Sequence, residues 1–153
     1  GDKSPMLGTP KLTIDVYVSI RTLTMQLTPQ QQDVQELARN FSLEKLKPNA
    51  AKLDSEARFP FEYIKELTDL GLMGVTVDPE NGGLGLDRIS LALVVEELSR
   101  GCASTGMILS IHNFLYADLV NRRGSPEQKE QFLDAFTRGS IGCFALSEPG
   151  KRV

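Results

Sequence analysis

The sequence predicts an all-α fold: a helical bundle over residues 28–139, followed by one strand, at 140–146, that reads as the first of a β domain. Three observations predict it. Apolar residues recur at helical spacing between turn signals, Thr28 and Ser125 each open a Ser/Thr-Pro-x-Gln layout that starts a helix, and the one continuous apolar run comes last with no strand beside it.

At 153 residues the chain has length for one main domain, and a helical unit of about 110 residues buries a core without staples. The formal charge of −3 gives no electrostatic reason to expect nucleic acid as a partner. No apolar run reaches the ~20 residues of a membrane span. Cys102 and Cys143 lack zinc-type spacing and read as reduced, buried thiols. His112 is the sole histidine, which excludes a multi-histidine metal site and leaves a structural, partly buried ring as the favoured reading.

Residues 1–27 differ from the rest. Glycines and prolines within 1–10 suggest a flexible leader, and the alternation of Leu12, Ile14, Val16, Val18 and Ile20 with polar residues suggests a strand with no mate nearby. Thr28-Pro29-Gln30-Gln31 then places a capping hydroxyl, an N1 proline and an N3 glutamine. The first helix carries Val34, Leu37, Ala38, Phe41 and Leu46 on one face and stops at Pro48. A short helix is expected at 50–58. Phe59-Pro60 opens the next, with Phe61, Ile64, Leu67 and Leu70 as its inward stripe and Gly71 as its C-terminal cap.

Gly74, Gly82, Gly83 and Gly85, with Asp78-Pro79-Glu80-Asn81 between them, make 72–86 a set of turns. Asn81-Gly-Gly-Leu-Gly85 lacks the Gly-Lys-Ser/Thr ending of a phosphate loop and reads as a tight corner. Asp87 caps a helix that is apolar nearly all round, through Ile89, Leu91, Ala92, Leu93, Val94, Val95 and Leu98, and so is expected at the bundle axis. Glu96 and Glu97 point about 100° apart on that helix and read as solvated or salt-bridged rather than as an acid and base pair. Ser104 is expected to cap a helix reaching about Arg123, with Met107, Ile108, Ile111, Leu115 and Leu119 as its seam and Gly124 as its stop. Ser125-Pro126-Glu127-Gln128 repeats the capping layout, with Phe132, Leu133 and Phe136 inward and Gly139 beyond the end.

Ile141, Cys143 and Ala145 alternate with Gly142, Phe144 and Leu146, and since both sets are apolar or small the run reads as a strand buried on both faces. Pro149-Gly150 ends it in a turn. A corner at a strand end offers unpaired N–H groups and the Ser147 hydroxyl to the edge of a planar or anionic ligand.

Cys143-Phe-Ala-Leu-Ser-Glu-Pro-Gly150 resembles the flavin-binding strand and turn of the acyl-CoA dehydrogenases, and Glu96-Glu-Leu-Ser-Arg-Gly-Cys-Ala-Ser-Thr-Gly106 is similar to the short-chain, butyryl-CoA type of that family. Two coupled motifs of this length match by chance far less often than a lone glycine pattern. The resemblance implies the family's N-terminal helical domain over 28–139, and the first strand and turn of its middle β domain over 140–153. It implies FAD as cofactor, short-chain acyl-CoA thioesters as substrates oxidised to 2-enoyl-CoA in fatty acid β-oxidation, electron-transfer flavoprotein as the electron acceptor, a homo-oligomer when full length, and a mitochondrial matrix location. Carried over residue by residue, Phe144, Ala145, Leu146, Ser147, Glu148, Pro149 and Gly150 are the cofactor-binding candidates. Met107, Ile108 and Ile111 are candidates for the far end of the acyl pocket, a position their bulk suits equally as core. The glutamate that removes the substrate α proton lies in the family's C-terminal helical domain. No residue here is therefore assigned as catalytic, Glu96, Glu97 and Glu148 included.

Lys151-Arg152-Val153 departs from the Gly-Ser-Asp segment that follows this turn in the family. The alternative is thus a non-catalytic fragment or isoform that acts only as an interaction module. On that alternative the chain by itself retains little FAD and self-associates through uncovered apolar faces. Size-exclusion chromatography with FAD absorbance checks this, and 1:1 retention of FAD by a monomer would exclude it.

Overall fold

In the computed structural model, which describes residues 26–145, 147 and 150, Thr28 builds the first helix start as its sequence expects. Its Oγ1 accepts the Gln31 N–H at 3.2 Å while its own N–H donates to Gln31 Oε1 at 3.0 Å, closing a capping box with Pro29 at the first helical position. Helix α1 spans Pro29–Phe41 and continues through a π-helical turn, Ser42–Leu46, in which the Lys47 N–H reaches back five residues to the Ser42 carbonyl. Val34, Ala38, Phe41 and Leu46 are buried, whereas Leu37 lies on the exposed side. The strand-like pattern at 11–21 lies outside the described residues.

Helix α2, Ala50–Ser55, is shorter than the expected 50–58, because Ala57 takes a left-handed φ of 48° that a helix cannot propagate. Helix α3, Phe61–Asp69, buries Tyr63, Ile64 and Leu67. The expectation that Phe61 faces inward fails: it is 69% exposed and rests on the neighbouring Phe59 ring at 4.6 Å. Phe61 is the first residue of its helix, so no preceding turn carries it over the core. Gly71 closes α3 with φ 76°, the left-handed geometry expected of it.

Residues 72–86 form turns, with short 3-10 segments at Leu72–Gly74 and Pro79–Asn81, yet they are no surface corner. Leu72, Met73, Val75 and Val77 are wholly buried. Residues 84–86 run beside 74–77 and donate to them: Leu84 N–H to Gly74 O at 2.9 Å, Gly85 N–H to Val77 O at 2.8 Å, and Leu86 N–H to Val75 O at 2.8 Å. Gly83 lies so close to the Val77 carbonyl that no Cβ fits between them.

Asp87 Oδ1 accepts the Ser90 N–H at 2.7 Å and starts α4, Arg88–Gly101. Helix α5, Ala103–Ser110, follows after the single extended residue Cys102, two residues before the expected cap at Ser104. It runs on through a π-helical stretch, Ile111–Ala117, into α6, Asp118–Arg123, and Gly124 stops it by donating to the Val120 carbonyl. Ser125 and Gln128 exchange hydrogen bonds of 2.9 and 3.3 Å at the start of α7, Pro126–Thr137, reproducing the layout at Thr28.

The described structure is a helical bundle with no strand among its described residues. α4 lies between α1 and α5. α1 and α4 run the same way, since Gln31 Nε2 donates to Asp87 Oδ2 at 2.7 Å near both starts and Arg39 meets Glu97 at 2.8 Å near both ends. α4 is central as expected but not covered all round, because Ile89 and Ala92 remain exposed. Residues 141–145 form no strand, contrary to the two-sided burial expected of them: Ile141, Cys143 and Phe144 are exposed, and Gly142 alone is buried. A strand needs a ladder partner for its N–H and C=O groups, and no described segment offers one.

The inward stripe of the 103–123 rod is also not the one expected. Thr105, Gly106, Leu109, His112, Asn113 and Ala117 are buried, while Met107, Leu115 and Leu119 are exposed. Asn113 explains why polar side chains sit inside. Its Oδ1 accepts the Val75 N–H at 3.0 Å, and its Nδ2 donates to the Leu72 and Leu109 carbonyls at 3.2 Å each. Asn113→Ala leaves these backbone groups buried and unpaired, an expected loss of about 2–4 kcal/mol. Thr28→Ala, which removes one exposed cap, is expected to cost about 1 kcal/mol. Urea denaturation of both variants checks the ranking, and an Asn113→Ala penalty no larger than that of Thr28→Ala would refute it.

Candidate functional site

The residues after Gly139 return to the 103–123 rod and lie along it. Gly142 is held there by two contacts. Its N–H donates to His112 Nδ1 at 3.0 Å, and its Cα sits against the Tyr116 ring so closely that an added Cβ would meet Tyr116 Cγ at 2.6 Å. The next two residues, Cys143 and Phe144, then close one side of a groove of about 350 Å³. Leu115, Tyr116, Leu119 and Val120 of the rod and Phe132 of α7 line its other sides, with Arg123 and Gln128 at the polar part of its wall.

Of the expected cofactor residues, Phe144, Ala145, Ser147 and Gly150 are exposed, and Gly150 has φ 87°, as a turn after proline requires. Leu146, Glu148 and Pro149 lie outside the described residues. Met107, Ile108 and Ile111 sit at the other end of the rod. Met107 is 60% exposed, while Ile108 and Ile111 are half-buried, with Ile108 packed on the main core. The groove beside Phe144 is lined from 115 onward, so the structure does not bring these three residues to it.

Sequence periodicity placed Leu115, Leu119 and Phe132 in the core, whereas they face the groove. A signal for this was present: the rod carries more apolar positions than one buried stripe uses, so a second apolar side was legible. The thiols differ as well. Cys102 is buried as expected, but Cys143 is exposed, and both are free.

Glu97 is nearly wholly buried and belongs to no acid and base pair. Arg39 Nη2 donates to its Oε1 at 2.8 Å, Gln35 Nε2 donates to the same oxygen at 3.0 Å, and Arg100 lies 3.6 Å from Oε2. The Arg39 hydrogen bond is the main cause that holds this carboxyl below the usual glutamate range, against the opposing effect of burial. The rest of that motif is packing. A Cβ at Gly101 would collide with the Ser42 hydroxyl, and one at Gly106 with Ser99, so both glycines allow close approach within the bundle.

Burial is the larger cause and pushes His112 down to about 4, with the Met73 backbone acting the other way. The ring is therefore neutral at physiological pH, and because Nδ1 accepts from Gly142 its proton is on Nε2. Among the described residues no group of three His, Cys, Asp or Glu side chains is placed to hold a metal ion, and no helix is long and apolar enough to cross a membrane.

Residues 28–140 match the acyl-CoA dehydrogenase N-terminal domain. The mitochondrial short-chain specific acyl-CoA dehydrogenase of Sus scrofa is 45% identical over 128 residues, which are 83% of this chain and 31% of that protein. The short-chain specific acyl-CoA dehydrogenase of Clostridium acetobutylicum is 41% identical over 83% of this chain and 34% of that protein. In structure, butyryl-CoA dehydrogenase from Megasphaera elsdenii superposes with a TM-score of 0.77 at 35% identity, covering 83% of this chain and 34% of that one. The chain thus spans about a third of the length of the relatives it matches.

With the folded-state His112 value below the ordinary 6.5, the unfolded chain takes up a proton first as pH falls, so stability held at neutral pH is lost between about 6.5 and about 4. The loss from this group is of order 3 kcal/mol. Denaturation of wild type and His112→Asn across that window isolates it from the carboxylates. Wild type is expected to lose that much more than the variant, and parallel curves would refute it.

Proposed function

The chain belongs to the acyl-CoA dehydrogenase family, and from that membership we propose that it forms the N-terminal helical part of a flavoprotein oxidising short-chain acyl-CoA thioesters to 2-enoyl-CoA. The observation that carries this is the match of 28–140 to the family's N-terminal domain, together with relatives of the short-chain type from a mammal and a Clostridium. In this reading 28–139 is the helical domain, 140–153 begins the β domain, and 1–27 is a leader.

The residues present suit one edge of FAD. Phe144 is half-exposed at an apolar groove, and the exposed Ser147 and Gly150 follow it with a hydroxyl and a residue of left-handed backbone geometry. Bound there, FAD would accept the hydride from the substrate β carbon. This chain's own part is to bind and orient. Phe144, Ala145 and Leu146 exclude water from the ring, and the Ser147 hydroxyl and the amides of Glu148 and Gly150, on either side of Pro149, hold its polar edge. Met107, Ile108 and Ile111 meet the acyl tail, where their bulk selects short chains. The base that removes the α proton is supplied from elsewhere in the protein.

Electron-transfer flavoprotein is the proposed acceptor, and the β-oxidation of short acyl chains the proposed setting. The mitochondrial matrix is the proposed location, following the mitochondrial mammalian relative. Homo-oligomerisation of the full-length protein is proposed on the same family grounds.

Isolation of the native protein with an antibody to the helical bundle tests this reading. A yellow protein whose flavin band bleaches with butyryl-CoA, and less with a long-chain acyl-CoA, is expected; a colourless protein with no acyl-CoA turnover would overturn it. In the flavin-containing protein, Ser147→Ala is expected to weaken FAD retention about fivefold, the scale of one neutral hydrogen bond. Equilibrium dialysis measures it.

A further inference from the structure

We propose that His112 is a positioning residue, whose ring nitrogen anchors the backbone at Gly142 and thereby fixes the point from which the chain continues into Cys143 and Phe144. The importance of that point rests on the reading above, in which the residues from Phe144 onward carry the cofactor contacts. The anchor itself stands on geometry.

His112 is fully buried on the rod, and its Nδ1 accepts the Gly142 N–H at 3.0 Å across thirty residues of sequence. Gly142 is buried while its neighbours Ile141 and Cys143 are exposed, so it is the residue of this segment that the bundle encloses. Tyr116, one helical turn after His112, forms the floor. A Cβ on Gly142 would stand 2.6 Å from its Cγ and 2.9 Å from its Cβ, so only glycine brings the amide within reach of the ring. A cradle and an acceptor thus select the same residue.

The reach that follows is short. Extended chain advances at most about 3.4 Å per residue, so Phe144 stays within about 7 Å of the anchor and Ser147 within about 17 Å. Releasing Gly142 would free both. The acceptor role also needs a neutral ring, because a protonated Nδ1 becomes a donor facing another donor. The causes that set the His112 protonation are burial and the Met73 backbone, with no charged group among them, so the anchor answers to protonation of this ring.

Amide hydrogen exchange on the chain, without cofactor, reads the anchor directly. Wild type, His112→Asn, His112→Ala and Gly142→Ala are compared, with the Val75 amide, held by Asn113, as an internal report on the core. Asparagine keeps an acceptor at the δ position. Protection at Gly142 is expected in wild type and His112→Asn, and a loss of at least about fivefold in His112→Ala with Val75 unchanged. At residue 142 of Gly142→Ala the same loss is expected. Wild type should also lose Gly142 protection as pH falls through about 4, while His112→Asn keeps it.

Equal Gly142 exchange in wild type and His112→Ala would overturn the proposal. If His112→Ala fails to fold, the comparison of wild type with His112→Asn across pH still decides: matching pH profiles overturn the anchor, and divergent ones support it. Failure of the flavin reading looks different. It appears as a native protein without a flavin band, whatever the exchange at Gly142 shows.

Discussion

A buried stretch of irregular backbone governs this bundle. Residues 72–77 pass through the core without being a regular helix or strand, and every N–H and C=O they carry must find a partner away from water. Three sources supply partners: short-range turns such as Gly74 N–H to Gly71 O, the amides of 84–86 lying alongside, and the Asn113 side chain. Asn113 is the member that ties the loop to a helix. Its amide meets a donor and an acceptor of the loop at once, which an apolar residue of equal size cannot do.

The next residue inward on the same rod repeats the device on another segment. His112 offers its ring nitrogen to Gly142, so two adjacent polar side chains hold the loop before α4 and the chain after α7. This accounts for the polar character of the inner stripe and, by elimination, for the apolar character of the other side. Leu115 and Leu119 are free to line the groove with Phe132 and Phe144 because the core contacts are made by Leu109, Ala117 and the two polar residues.

Charge is placed with similar economy between α1 and α4. Glu97 loses its hydration on burial, and Arg39, Gln35 and Arg100 replace it, so the two parallel helices are pinned near their ends as the Gln31 and Asp87 pair pins their starts. Of the glycines in the Glu96 to Gly106 motif, Gly101 lets α4 approach Ser42 and Leu46 at the end of α1, and Gly106 lets α5 approach Ser99 of α4. That motif was read as a family signature. Its residues in the structure are joints of the bundle.

The helix starts at Thr28, Asp87 and Ser125 and the stops at Gly71 and Gly124 were legible because each rests on hydrogen bonds within about four residues, which sequence spacing encodes directly. The family resemblance was legible for a related reason, since its motifs are contiguous. Which side of the 103–123 rod turns inward was not, nor was the depth of 72–77, nor the exposure of Ile141, Cys143 and Phe144. Periodicity counts apolar residues and sees two candidate stripes on that rod; the choice between them falls to Asn113 and His112, whose partners Val75 and Gly142 lie thirty to forty residues away. The run at 141–145 had strand composition, but a strand exists only with a neighbour to complete its ladder, and that is a property of the assembled chain. Local hydrogen bonding was therefore written in the sequence, while long-range satisfaction of buried polar groups, which depends on what else is near in space, was decided by the tertiary structure.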